Sequence, residues 1–187
     1  MREEELEGLR VRVSRCRRCG LWRTRTQTVF GSGSLSPRLV LVGEAPGAQE
    51  DEEGLPFVGA AGKLLTSLLL SAGLGREEVY LTNVLKCRPP GNRTPLPEEV
   101  EACRPYLEEQ LRILEPRLVV SLGRVAASTL LGRPVVLSRE HGRVLPCCFA
   151  GRSFSLFPTY HPAAALYSGK NRSKLEEDFR RLGELLT

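Results

Sequence analysis

The sequence predicts an α/β fold, a three-layer α/β/α sandwich around a mainly parallel four-stranded central sheet. Short apolar runs of strand length recur along the chain, the first at residues 39–42. Segments with apolar residues at helical spacing separate these runs. Strands that alternate with helices form parallel sheets covered on both faces. At 187 residues, a single domain spanning residues 1–187 is long enough to bury such a core.

The first part of the chain predicts a helix and an arm. Apolar residues recur at helical spacing within residues 3–15, with acidic residues first and arginines last, an order that suits the helix dipole. A C-x-x-C pair and a glycine follow at residues 16–20. Residues 21–37 mix β-branched residues with Gly and Ser, which predicts an irregular or hairpin-like arm.

The remaining elements alternate. Their predicted order is a strand at 38–43, a loop of acids and glycines, a helix at about 59–72, a strand at about 79–85, a Pro-rich loop, a helix at 97–114, a strand at 117–122, a short helix at 124–132, a weaker β region at 134–152 with a turn at 141–142, a strand at 154–160 and a helix at about 173–186.

Composition limits the class of protein. The net charge is +5 and arginine supplies nearly all of the positive charge, which suits a nucleic-acid partner, although an arginine preference of the source explains it equally well. No apolar run reaches the roughly 18 residues of a membrane span, and the acidic N-terminus is unlike a signal peptide. We therefore expect a cytoplasmic monomer that does not bind membranes.

Polar side chains follow three of the predicted strands. Glu44 follows the first strand, Asn83 lies at the end of the second and His161 follows the fourth. Because the carboxyl ends of parallel strands share one edge of the sheet, a carboxylate, an amide and an imidazole should converge there. Phe57, in the loop after the first strand, is either a core residue or a stacking surface for a ligand.

Four cysteines have spacing that suggests ligation. Cys16 and Cys19 form the C-x-x-C pair, and Cys87 and Cys103 follow singly. In a reducing compartment, four thiolates can hold zinc or a [4Fe–4S] cluster. The wide gap between Cys87 and Cys103 weakens the zinc interpretation. The alternative is that these are buried, unrelated thiols. The adjacent pair at 147–148 is interpreted as packed or partly exposed thiols, because neighbours in a strand point to opposite faces.

Four ordered motifs carry a family likeness. They are the C-x-x-C at 16–19, GEAPG at 43–47 with PFVGAAGKLL at 56–65, TNVLKCRPPGNRTPLP at 82–97 and PTYHPA at 158–163. With them the sequence resembles the family-four, iron–sulfur uracil-DNA glycosylases over nearly its whole length. The resemblance implies a [4Fe–4S] cluster on Cys16, Cys19, Cys87 and Cys103, held by the N-terminal arm, and excision of uracil from DNA, which leaves an abasic site.

The likeness also implies roles for the strand-end residues. His161 would donate to uracil O2, where negative charge develops, and Asn83 would contact the O4 and N3–H edge of the base. Glu44 would orient water or brace the turn that follows it, whereas the nearby Glu50 and Asp51 are interpreted as a solvated acidic run. The implied uracil-binding residues are Gly43, Glu44, Ala45, Phe57, Asn83 and His161, and the candidate DNA contacts are Arg88, Asn92, Arg93 and Leu166.

Two other functions fit parts of the sequence. One is a non-catalytic module of the same superfamily that binds uracil in DNA without releasing it. The other is an iron–sulfur redox protein in which the cysteine pair at 147–148 is reactive. Release of free uracil from DNA distinguishes the glycosylase from both.

Overall fold

Short strands that are buried on both faces form the centre of the structure. In the computed structural model, which describes residues 1–187, strands β2 (Val40–Gly43) and β3 (Tyr80–Asn83) consist entirely of buried residues, and β4 (Leu118–Leu122) is buried apart from its first residue. Such strands are typical of the middle of a parallel sheet, where helices cover both faces.

The sheet contains six strands. Besides β2, β3 and β4 they are β1 (Ser32–Gly33), β5 (Leu145–Phe149) and β6 (Arg152–Thr159), in the order β1-β3-β2-β4-β6-β5. The four inner strands are parallel to their neighbours, as predicted. The two edge strands are antiparallel, so the prediction of a four-stranded sheet is wrong in strand number.

Both edge strands have only weak signals in the sequence. β1 contains only two residues and lies in the arm, where no apolar alternation marks it. β5 falls in the weaker β region and forms a hairpin with β6 through Ala150 and Gly151, both with positive φ (51° and 75°). A two-residue hairpin loop with positive φ at both positions matches a type I′ turn, in which Asn or Gly is usual. Because Ala is uncommon there, the sequence does not mark this turn.

Seven α-helices accompany the sheet. They are α1 (Arg2–Ser14), α2 (Ala48–Glu53), α3 (Ala60–Ser71), α4 (Pro97–Leu114), α5 (Arg124–Leu131), α6 (Leu137–Glu140) and α7 (Gly169–Leu185). Five of them match predicted helices closely, whereas α2 lies in the predicted acidic loop and α6 in the predicted weak β region. None of the seven combines the length and apolar character that crossing a membrane requires.

The helices cover the two faces of the sheet in separate layers. Val40 and Val42 belong to a hydrophobic cluster with buried residues of α1, α4 and α5. Leu39 and Leu41 belong to a second cluster with buried residues of α3 and α7. Successive residues of a strand point to opposite faces, so this alternation separates the two cores. The predicted three-layer α/β/α arrangement is present.

Candidate active site

The carboxyl ends of the inner strands border a single cavity of about 410 Å³. Its lining includes five of the six residues that the family resemblance implies bind uracil: Glu44, Ala45, Phe57, Asn83 and His161. The sixth, Gly43, forms the end of β2 beside them. The expected convergence of a carboxylate, an amide and an imidazole at this edge of the sheet is therefore found.

Gly43 leaves room for the other site groups to approach one another. A β-carbon at this position would lie 2.5 Å from Asn83 Oδ1 and 2.7 Å from Phe57 Cζ, and 3.5 Å from His161 Nε2. A β-carbon here would therefore force the Asn83 and Phe57 side chains to shift. Glycine is required by space, since its backbone lies outside the left-handed region.

Asn83 offers an unpaired polar atom at the cavity wall. Only 3% of the residue is exposed, yet its Oδ1 has no hydrogen-bond partner. A buried polar atom without a partner costs about 1–3 kcal/mol, and such atoms are rare in folded proteins. The side-chain amide is therefore available to pair with a ligand in the cavity.

His161 presents a defined donor. Its Nδ1 accepts a hydrogen bond from the Ala163 backbone N–H at 3.1 Å, so the proton of the neutral ring lies on Nε2, the ring atom that faces Gly43. Burial lowers the pKa of His161 to about 4, while the Glu50 carboxylate acts in the opposite direction. The imidazole is therefore neutral at physiological pH, with Nε2–H free to donate.

Phe57 is held in an unusual backbone conformation. Its φ is 54°, in the left-handed region that non-glycine residues avoid. Arg76 donates from Nη1 to the Phe57 carbonyl at 2.8 Å and from Nη2 to the Pro56 carbonyl at 3.0 Å. The ring lies beside His161, with centroids 5.9 Å apart and planes inclined by 27°. Backbone strain of this kind marks functional positions more often than others.

Glu50 braces the same loop from the other side. Its Oε1 accepts from the Gly47 N–H at 3.0 Å, and its Oε2 accepts from the N–H groups of Val58 and Gly59 at 3.0 and 2.8 Å. The carboxylate thus ties the turn after β2 to the backbone next to Phe57. The signal in the sequence is a carboxylate three residues after Gly47, which is the spacing of a helix capping box.

The interpretation of these acids as a solvated run is therefore wrong. Asp51 is 4% exposed, and its Oδ1 accepts from the Thr26 backbone N–H at 2.9 Å, which ties the N-terminal arm to α2. Runs of acidic residues are usually solvated, and only the three-dimensional closure of the loop reveals that these two accept backbone hydrogen bonds.

Glu44 is a half-buried carboxylate at the cavity wall. Burial raises its pKa, and the Arg124 guanidinium at the start of α5 opposes that shift. No hydrogen bond fixes its oxygen atoms, in contrast to Glu50. The side chain is thus free to contact water or ligand in the cavity.

The Pro-rich loop supplies only part of the expected basic surface. Asn92 and Arg93 line the cavity, but Arg93 forms a two-pronged ion pair with Glu99, both contacts being 2.8 Å. Arg88 lies outside the cavity lining and donates to Asn92 Oδ1 at 2.6 Å on the protein surface. Arg93 thus contributes to the fold of the loop itself.

Leu166 does not line the cavity. It packs, partly buried, against the core on the α3 and α7 side. The following residue, Tyr167, is 98% exposed. Of the two large side chains in this segment, the tyrosine is therefore the one that projects from the surface.

The four candidate cysteine ligands line one further cavity. Cys16, Cys19, Cys87 and Cys103 share it with mainly apolar side chains of α1, the arm and α4, and with no His, Asp or Glu. No three His, Cys, Asp or Glu side chains are arranged to hold a metal ion. Four thiol side chains without a carboxylate or an imidazole are a donor set that an iron–sulfur cluster can use.

Two cationic side chains approach this cavity. Arg25 Nη1 lies 3.3 Å from Cys87 Sγ. Lys86 also lines the cavity and is 1% exposed. Burial acts to lower the pKa of Lys86, and the charges of Cys103 and Cys87 oppose this shift. Burial raises the pKa of the Cys87 and Cys103 thiols, and the positive charges of Arg25 and Lys86 oppose that shift.

The pair Cys147 and Cys148 behaves as predicted for neighbours in a strand. Cys147 is buried and lies 3.3 Å from the Leu130 carbonyl, while Cys148 is exposed on the other face of β5. Neither shares the cavity of the four ligand candidates.

Comparison with known proteins identifies the family. The family model described as the uracil DNA glycosylase superfamily matches residues 30–183. A protein of Archaeoglobus fulgidus named type-4 uracil-DNA glycosylase is 47% identical over 97% of this chain and 94% of its own length. Proteins with the same name from Thermotoga maritima and Sulfurisphaera tokodaii are 46% and 43% identical, over 92% and 97% of this chain and 87% and 85% of their own lengths.

The Archaeoglobus and Sulfurisphaera proteins match over 97% of this chain, and the family model includes the strands that border the cavity. The likeness to family four that the motifs predicted is confirmed. The chain belongs to the type-4 branch of the uracil-DNA glycosylase superfamily.

Proposed function

We propose that this protein is a DNA glycosylase that hydrolyses the N-glycosidic bond of deoxyuridine in DNA, releasing uracil and leaving an abasic site. The observation that carries the proposal is the unpaired, buried Asn83 Oδ1 beside the donor Nε2–H of His161 in one cavity. Relatives that are 47% and 43% identical to this chain are also named type-4 uracil-DNA glycosylase. Such an enzyme acts in the repair of deaminated cytosine.

Uracil must leave the base stack to reach the cavity, at a cost of a few kcal/mol. Inside it, the Phe57 ring provides a stacking surface and Asn83 pairs with the O4 and N3–H edge of the base. An amide can both accept from N3–H and donate to O4, whereas cytosine presents an amino group and a bare nitrogen there. A mismatch of this kind leaves buried polar groups unpaired, which makes the amide a strong discriminator.

Bond cleavage places negative charge on the departing base. The neutral His161 donates from Nε2 to uracil O2, and such preorganised donors usually give the largest catalytic contribution. Glu44, whose oxygen atoms are not engaged elsewhere, orients the water that attacks the sugar. No group in the cavity offers an amine nucleophile, so the reaction ends at the abasic site without strand cleavage.

The four cysteines, in this proposal, hold a [4Fe–4S] cluster with a structural role. When bound, the cluster takes no part in the reaction. Its bonds to the four thiolates join the end of α1 to the loop after β3 and to α4. Arg88 and Asn92 on the exposed Pro-rich loop contact phosphates of the DNA. Tyr167 is a better candidate than Leu166 for filling the space that the base vacates, because of its exposure.

The test is release of uracil from single- and double-stranded oligonucleotides, followed by alkaline cleavage at abasic sites. We expect strand breaks at uracil with the wild-type protein and losses of about 100-fold or more in His161→Ala and Asn83→Ala, the usual cost of removing a donor to developing charge. Intact strands would favour the binding module. Full activity in both variants would overturn the site assignment.

A further inference from the structure

Lys86 is the largest fully buried side chain of the protein, with 1% of its surface exposed. Its Nζ donates to three oxygen atoms, Thr82 Oγ1, Gln110 Oε1 and the main-chain carbonyl of Asn83, each at 2.6 Å. These distances lie at the short end for N–H···O hydrogen bonds, the direction in which a charged donor shifts them.

The hydrogen bonds identify the charged form of the amine. The single proton of the Thr82 hydroxyl is directed to the Phe30 carbonyl at 2.9 Å or to Gln110 Oε1 at 3.1 Å, and so is not available to Nζ. Three acceptors require three N–H donors, which only the ammonium has. All three acceptors are neutral, and a buried charge without an opposite charge is costly.

The four-cysteine cavity borders Lys86 and becomes a source of negative charge when its thiols ligate a metal. Lys86 immediately precedes Cys87 and lines that cavity together with Cys16, Cys19 and Cys103. Cysteines ligate metals as thiolates. In the assembled protein the ammonium therefore has the thiolates on one side and the Asn83 carbonyl on the other.

We infer that Lys86 is a positioning residue that couples the cysteine site to base recognition. It is the buried counter-charge of the thiolates, and its ammonium also fixes the backbone of Asn83. The inference rests on the proposed function, because it takes the cysteines as cluster ligands and Asn83 as the residue that contacts uracil. Thr82 and Gln110 complete the link, since both also bind the Phe30 carbonyl of the arm.

The test compares Lys86→Met with Lys63→Met, a matched change at an exposed lysine of α3. Two quantities are measured on protein purified with its iron: the midpoint potential of the cluster, by mediated redox titration followed by electron paramagnetic resonance, and the dissociation constant of free uracil, by calorimetry. We expect Lys86→Met to shift the potential to more negative values, because loss of a nearby positive charge disfavours reduction. We also expect it to weaken uracil binding about tenfold, the size of one charge-assisted hydrogen bond.

A second variant serves if Lys86→Met does not fold. Gln110→Glu keeps the shape of the side chain and places a carboxylate at the same oxygen position, so it should move the potential in the same direction. An unchanged potential together with unchanged uracil affinity in either folded variant would overturn the inference, even if thermal stability falls. Wild-type protein that lacks iron and releases no uracil would instead refute the proposed function.

Discussion

Replacement of Glu50 by Gln tests whether the loop brace controls the stacking surface. The carboxylate accepts three backbone N–H groups at 2.8–3.0 Å, whereas a carboxamide has only one oxygen. In the better orientation its oxygen faces Val58 and Gly59, and its amino group then faces the Gly47 N–H. One charge-assisted hydrogen bond is lost and two donors oppose each other.

The expected cost is about 1.5 kcal/mol, at the lower end for such a bond because Glu50 is only half-buried. If this cost falls on the placement of Phe57 in the transition state, kcat/KM for uracil release decreases about tenfold. The assay is single-turnover release of uracil from a uracil-containing oligonucleotide, with thermal unfolding measured in parallel.

Glu52→Gln is the matched control, since this neighbouring carboxylate of α2 is exposed. We expect it to leave both the rate and the unfolding temperature unchanged. A folded Glu50→Gln protein with the wild-type rate would refute the reasoning, because the loop would then hold Phe57 without the carboxylate.

Three further outcomes follow from the site. The pH profile of kcat/KM should be flat between about pH 6 and 8, where histidine normally titrates. It should decline as the pH falls through the His161 pKa of about 4, because protonation of Nδ1 removes the acceptor of the Ala163 N–H. A midpoint near pH 6.5 would contradict this. Gly43→Ala places a β-carbon 2.5 Å from Asn83 Oδ1, and overpacking of this kind costs about 1–3 kcal/mol. Uracil release should therefore fall about 100-fold while the circular dichroism spectrum stays unchanged. Retained activity would show that the cavity can widen. Cys103→Ala should lower the iron content and the soluble yield more than it lowers the rate of uracil release per folded molecule. Cys148→Ala is the control and should leave all three unchanged. A folded Cys103→Ala protein that loses only turnover would argue against a structural cluster.

The elements with strong local signals could be predicted from the sequence. The strand at β2 and the helix at α4 follow from an apolar run and from a Pro-Glu-Glu start, respectively. The convergence of Glu44, Asn83 and His161 also follows, because parallel strands bring their carboxyl ends together. Each of these predictions depends only on nearby residues and on the general geometry of α/β folds.

The parts that could not be predicted depend on contacts between distant segments. Arg76 lies in a turn before β3, and nothing in its surroundings indicates that it binds the Phe57 carbonyl. Asp51 resembles a solvated acid until the arm supplies the Thr26 N–H. Likewise, β1 exists because its two residues pair with β3, and no local pattern marks them.

The location of the four cysteines has a consequence for the order in which the protein assembles. Two of them follow α1, one follows β3 and one lies within α4, so their cavity forms only after α1 has packed against α4 and the sheet is in place. The parallel neighbours of that sheet are also far apart in sequence, and such non-local contacts form slowly. We therefore expect iron to enter an already collapsed domain during biosynthesis. Chains synthesised under iron starvation should collapse but give less soluble protein, with the segment that carries Cys16 and Cys19 open to proteolysis.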